Sequence, residues 1–160
     1  MEIVQEKIIV PADRSRLAQL RSVVRKVCLQ NGVSPRTVQR VVLVIDEAVS
    51  NVMEHSGARR EDMIRIALEI AEESINVEIT DPGVQFDPSD RESTRTPRNT
   101  RGRKPFKRGF GLHLIHLIAD SVSYCRTYEN ENQLTLVIEN RESAEGAHPS
   151  TLESGEPCLD

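Results

Sequence analysis

Asp81-Pro82-Gly83-Val84-Gln85-Phe86-Asp87-Pro88 is the stretch on which the reading of this chain turns. It follows Ser74 to Thr80, a β-like run, and Asp-Pro-Gly stops a strand at that point. A carboxylate at the carboxyl end of a strand can accept a hydrogen bond from an exocyclic amine such as that of adenine. A glycine two residues later lets backbone approach a flat ring closely. Taken alone, the same residues also fit a plain strand-ending turn, because Asp, Pro and Gly all favour turns.

The neighbouring segments supply the context. Met63 to Ile70 is a second β-like run, joined to the first through Ala71-Glu72-Glu73 as a hairpin. Upstream of it, Ser34-Pro35 starts a helix with Ser as N-cap and Pro at the first helical position. Val38, Val41, Val42, Ile45, Val49 and Val52 carry that helix at helical spacing to about His55. An earlier helix, capped by Asp13 or Ser15, runs to about Gln30 on Leu17, Leu20, Val24 and Val27, and Asn31-Gly32 stops it. Glu2 to Val10 alternates around Ile3, Ile8 and Val10 as a first strand. Downstream, Leu112, Ile115, Leu117, Ile118 and Ala119 form a third helix from near Gly111. Val122 to Tyr128 and Gln133 to Ile138 close the chain as a hairpin with Glu129-Asn130-Glu131-Asn132 as its turn.

Three helices and about five strands, with hairpins that exclude a purely parallel sheet, predict an α+β protein. The expected form is a two-layer sandwich, its mixed, mostly antiparallel sheet carrying helices on one face. Residues 1–138 make one domain, and 139–160, rich in Glu, Ser, Gly and Pro, read as a disordered tail.

Two further stretches carry chemistry. Glu47, Asn51 and His55 are spaced four apart, so they stack on one stripe of the second helix. A carboxylate and an amide one turn apart can share a metal-bound water, the Glu taking a proton and the Asn giving its carbonyl oxygen to Mg²⁺. A polar solvent face accounts for the same spacing. Arg108-Gly109-Phe110-Gly111-Leu112 precedes the third helix, where glycines free backbone N–H groups for an anion at the positive end of the dipole. No Gly-Lys-Ser/Thr follows, and G-x-G-x-x-G does not occur after the first strand, so neither the Walker nor the dinucleotide pattern is present.

Composition narrows the classes. Hydrophobic residues make up 38% and charged residues 29%, and no apolar run approaches the roughly 20 residues of a membrane helix. The first residues do not resemble a signal peptide. Cys28, Cys125 and Cys158 fit neither a disulfide framework nor a zinc cluster, and the first two fall on core elements as small buried residues. A reducing cytoplasm is the consistent compartment. The net charge of −4 conceals a basic run: Arg91, Arg95, Arg98, Arg101, Arg103, Lys104, Lys107 and Arg108 face the single acid Glu92. Such a run asks for an anionic partner. With aromatics at 3%, stacking on nucleic-acid bases is disfavoured, and a small ligand's phosphates are the better match. From Pro88 to Arg108 there is no periodicity, as in a lid, a binding loop or a disordered stretch.

The order of these pieces resembles the GHKL ATPases (gyrase, Hsp90, histidine kinase, MutL) over Ile8 to Ile138. The acid–amide helix comes first, then the strand ending in Asp-x-Gly, then the long lid, then Gly-x-Gly at a helix start. Within that family, Glu47-Ala48-Val49-Ser50-Asn51-Val52-Met53-Glu54-His55, the D-x-G-x-x-F-D box at Asp81 and the G-x-G-L box at Gly109 resemble the bacterial anti-sigma-factor serine kinases (RsbW/SpoIIAB type). The resemblance implies a Bergerat-type fold that binds ATP and Mg²⁺. Asn51 would ligate the metal and Glu47 would be the general base. Asp81 would bind the adenine amine with Gly83 beside the ring. Gly109, Gly111 and Leu112 would form the phosphate box, with Arg108 adding charge and Thr135 a hydroxyl near adenine. It further implies a serine/threonine-protein kinase whose partners are a sigma factor and an anti-sigma-factor antagonist, the phospho-acceptor. A nucleotide-gated switch without useful transfer is the alternative, and a homodimer is open to the unassigned helical faces.

Overall fold

The computed structural model describes residues 3–84 and 110–140; for 110–112 only the backbone is described. The elements are β1 (Val4–Pro11), α1 (Leu17–Gln30), α2 (Pro35–His55), β2 (Met63–Ile70), β3 (Ser74–Asp81), α3 (Phe110–Ile118), β4 (Ser121–Arg126) and β5 (Asn132–Glu139). One sheet holds all five strands in the order β1-β2-β3-β5-β4. Each of its four pairings is antiparallel, so the expected admixture of parallel pairs is absent among the described strands. The reason is topological. The chain leaves β3, passes through α3, and runs up the edge as β4 before β5 returns beside β3. The α+β layering is as expected.

Alternation builds the core. Ile64, Ile66, Leu68 and Ile70 of β2, Ile75, Val77 and Ile79 of β3, and Leu136 and Ile138 of β5 are buried on one sheet face. Their partners across the layer are Val24 and Cys28 of α1 and Val38, Val41, Ile45 and Val49 of α2. The opposite sheet face is polar, with Glu78 bonded to Gln133 at 2.9 Å and Asn76 to Glu69 at 3.1 Å.

The helix boundaries follow their caps. The Ser34 hydroxyl accepts the Thr37 N–H at 3.2 Å, and Pro35 opens α2. Asp13 caps as expected, but it caps a 3₁₀ turn over Arg14–Arg16 through the Ser15 N–H at 3.0 Å, and α1 starts only afterwards. Gly32, at φ +76°, takes the left-handed stop after α1.

Arg40 of α2 fixes the far end of the layer. Its guanidinium donates to the Ile118 carbonyl at 2.7 Å, to Asp120 Oδ2 at 2.8 Å and to the Glu139 carbonyl at 2.9 Å. One side chain thereby ties the C-terminal end of α3, the start of β4 and the end of β5 to α2.

Cys28 is buried as expected, whereas Cys125 is exposed. On β4 the inward positions are Val122, Tyr124 and Arg126, which pair with Leu136, Leu134 and Asn132. Period two then turns Cys125 outward.

Candidate functional site

A cavity opens where α2, β3, α3, β4 and β5 meet. Its walls are Ala48, Asn51, Val52 and Ser56 of the α2 region, Ile79 and Asp81 of β3, Ile115 of α3, Tyr124 of β4, and Asn132 and Leu134 of β5. The lining is largely apolar, with Asn51 and Asp81 entering from two elements 30 residues apart in the chain. Its free volume of about 30 Å³ holds a water molecule or two, so a larger ligand enters only as side chains give way.

The polar end of the cavity is a connected network. Asp81, 3% exposed, accepts the Gly83 N–H at 2.8 Å and an N–H of the Asn132 amide at 3.1 Å, both on Oδ1. Its other oxygen receives no hydrogen bond among the described residues. The same Asn132 amide nitrogen donates to the Val84 carbonyl at 2.8 Å. Asn132 Oδ1 accepts from the Tyr124 hydroxyl at 2.5 Å and from Arg126 Nη1 at 2.7 Å. Arg126 Nη1 also donates to the Gly83 carbonyl at 2.8 Å, and its Nε to Asn130 Oδ1 at 3.1 Å. Asn130 holds a left-handed conformation, φ +63°, in the turn between β4 and β5. Asn is one of the few side chains that tolerate it.

Asn51 stands apart from this network. Its amide Nδ2 is buried and has no hydrogen-bond partner among the described residues. A buried amide without a partner costs free energy until something supplies one, and here it sits in a cavity wall. That is the feature expected of a residue meant to meet a ligand. Glu47, one turn earlier on the same stripe, is half-buried and lies outside the lining. Its carboxylate has no hydrogen bond or ion pair among the described residues. His55 also lies outside the cavity, with Nε2 3.5 Å from Glu54, which in turn pairs with Arg14.

Gly83 takes a different place from the one expected. It is not a cavity wall; a Cβ there would collide with the side chain and carbonyl of Ser56, just past α2. Val84 N–H donates to that Ser56 carbonyl at 2.7 Å. The glycine is required because the loop after β3 lies flat on the end of α2.

Thr135 is turned away. It pairs with Glu78 and Ser123, and with Glu78 and Asn76 it borders a shallow depression on the other face of the sheet. With Leu134, Leu136 and Ile138 inward, period two forces Thr135 outward and Asn132 inward. The hydroxyl near adenine is therefore corrected. The residue of this strand that meets Asp81 is Asn132, which reads as a turn residue in sequence but was findable from strand parity. Arg108 and Gly109 lie outside the described residues, as do the lid and 141–160. Gly111 and Leu112 fall in the first turn of α3, which packs on α2. Among the described residues no helix is long and apolar enough to cross a membrane, and no cluster of acidic, His and Cys side chains forms a metal site by itself.

Comparison with known proteins agrees with this fold. Residues 10–138 match the model of the histidine kinase-like ATPase domain. The serine-protein kinase RsbW of Staphylococcus epidermidis is 28% identical over 117 residues, covering 71% of this chain and 74% of that protein. RsbW of Staphylococcus aureus is 28% identical over 118 residues, with the same shares. Among solved structures, the RsbU and RsbW domains of a Mycobacterium tuberculosis protein align with a TM-score of 0.61 at 16% identity. That alignment covers 88% of this chain but only 34% of the other. The Pseudomonas aeruginosa SiaB–SiaC complex aligns at 0.59 and 14% identity, covering 83% of this chain and 88% of that one. At those identities the two structures speak for the fold alone. The domain match spans most of the sequence, and the chain belongs to the histidine kinase-like ATPase domain family, with serine-protein kinases of the RsbW type among its relatives.

Proposed function

We propose that the protein is an ATP-dependent serine/threonine-protein kinase that acts as an anti-sigma factor. In this reading it phosphorylates a serine of an anti-sigma-factor antagonist and so regulates how much sigma factor is free. The observation that carries the nucleotide part is the convergence on a single cavity of Asn51 and Asp81, whose amide Nδ2 and second carboxylate oxygen have no partner among the described residues. The kinase part rests on the resemblance to the RsbW serine-protein kinases.

The donor set fits a magnesium nucleotide. Asp81 offers an acceptor to the adenine amine, and Ile79, Ile115 and Leu134 give apolar walls to a ring. Asn51 would hold Mg²⁺ through its carbonyl oxygen while its N–H group meets a phosphate or a bound water. Bound there, the metal supplies charge neutralisation for the phosphates. Gly109, Gly111 and Leu112 would supply backbone to the phosphates, and Arg108 a cation. Glu47 would take the proton of the acceptor serine, a hydroxyl that gains from an adjacent carboxylate.

The second reading, a nucleotide-gated switch without useful transfer, is favoured by one fact. Glu47 lies outside the cavity lining and nothing among the described residues orients it. Incubation with labelled ATP, Mg²⁺ and a cognate antagonist separates the two. For the kinase, Glu47→Ala lowers serine phosphorylation by about 10²–10⁴-fold while ATP affinity by calorimetry is kept. No transfer from the intact protein, with ATP still bound, establishes the switch. Binding can be followed by tyrosine fluorescence, since the chain has no Trp and only two Tyr. Tyr128→Phe leaves Tyr124, in the cavity wall, as the sole reporter.

A further inference from the structure

An ionised carboxylate only accepts hydrogen bonds, and three side chains of the β4–β5 hairpin decide which oxygen of Asp81 is left to meet a ligand. A guanidinium can donate but not accept. Arg126 Nη1, 2.7 Å from Asn132, therefore forces the oxygen of that amide toward itself and toward the Tyr124 hydroxyl. The amide nitrogen must then face the other way, where Asp81 Oδ1 and the Val84 carbonyl, both acceptors, receive it. A flipped Asn132 would set N–H against guanidinium on one side and oxygen against oxygen on the other. Asp81 Oδ1 is then occupied by two N–H groups, from Gly83 and Asn132. What Asp81 presents to a ligand is its second oxygen, an acceptor.

We propose that Asn132, held by Arg126 and Tyr124, is a positioning residue that makes the cavity select a 6-amino purine over a 6-oxo purine. The inference rests on the nucleotide reading above. An amine at the six position donates to the open oxygen, whereas a six-oxo group sets its own lone pairs against it. A site whose buried polar group is left unpaired or opposed rejects that ligand strongly. Arg126 also holds the Gly83 carbonyl at 2.8 Å, so the same guanidinium sets the loop that carries the first N–H on Asp81.

The test is the ratio of ATP to ITP affinity, the two nucleotides differing at the six position, measured by calorimetry with Mg²⁺ on the full chain. The intact protein should prefer ATP. Asn132→Leu, which removes the amide but keeps the bulk, should lower the ratio by about tenfold or more. Asn132→Ser, which retains a donor toward Asp81, should restore part of it. Arg126→Gln and Tyr124→Phe each release one hold on Asn132 and leave the amide in place. Smaller falls in the ratio are expected from both, and they carry the test should Asn132→Leu not fold. Equal weakening of ATP and ITP in all these variants, with the ratio unchanged, would show a purely structural network and overturn the positioning role alone. Failure of the intact protein to bind either nucleotide would overturn the nucleotide reading and this inference with it.

Discussion

At the scale of single residues, the same box of sequence serves two purposes that only coordinates separate. Asp81 ends a buried strand with one oxygen satisfied and the other without a partner among the described residues, which is a ligand's opportunity. Gly83, two residues on, is instead explained by packing, because the Ser56 backbone and side chain occupy the space where a Cβ would go. Gly83→Ala is therefore expected to destabilise the fold by about 1–3 kcal/mol, as overpacking does. Chemical denaturation would read this as a lower midpoint with an unchanged slope. Were stability unaltered and only nucleotide affinity lost, the glycine would be a ligand contact after all. Asp81 and Asn51 were legible in the sequence through boxes that resemble the GHKL ATPases, since a strand end and an i, i+4 stripe alone also fit a turn and a polar face. Asn132 was hidden among Glu129, Asn130 and Glu131, where composition reads as turn.

Among elements, α2 does the most. Its apolar stripe seats it on β3 and β5, its cap fixes where it begins, and its last turns carry Asn51, with Ser56 just past its end, to the cavity. Arg40 near its start holds α3 and the β4–β5 pair in register with it. Removing a partly buried guanidinium that donates to two carbonyls and a carboxylate costs about 2–3 kcal/mol. Arg40→Ala should thus lower the thermal midpoint by several degrees and loosen α3. Faster amide exchange in Ile115–Ala119 than elsewhere in the helical layer would confirm the local effect; uniform change would argue against Arg40 as a tie. β4 was misjudged at Cys125 because its apolar content says "core" while only pairing with β5 says which parity is inward.

For the molecule as a whole, the buried Cys28 links folding to alkaline pH. Burial raises its thiol from the ordinary 9.0 to about 11. In the unfolded chain the thiol ionises first, so its contribution to stability is complete below about pH 9 and is lost as pH rises through about 11. The loss is of the order of 2–3 kcal/mol for a shift of about two pH units. Cys28→Val should flatten that part of the stability profile between pH 8 and 11, relative to the unsubstituted protein. Identical profiles would mean that the thiol is open to solvent. In the same fold Cys125, on the outer sheet face, should react with a thiol reagent under native conditions while Cys28 does not.

Boxes that resemble the GHKL ATPases singled out Asn51 and Asp81, while the sequence by itself determined the layers and the order of helices and strands. These follow from local periodicity and from caps, turns and strand ends, which act over a few residues. Tertiary structure alone decided that Gly83 rests on Ser56, that Thr135 faces away, and that Asn132, Tyr124 and Arg126 close around Asp81. Such contacts join strands and loops 30 or 50 residues apart. Their geometry is set by sheet register and packing, which no window of sequence contains.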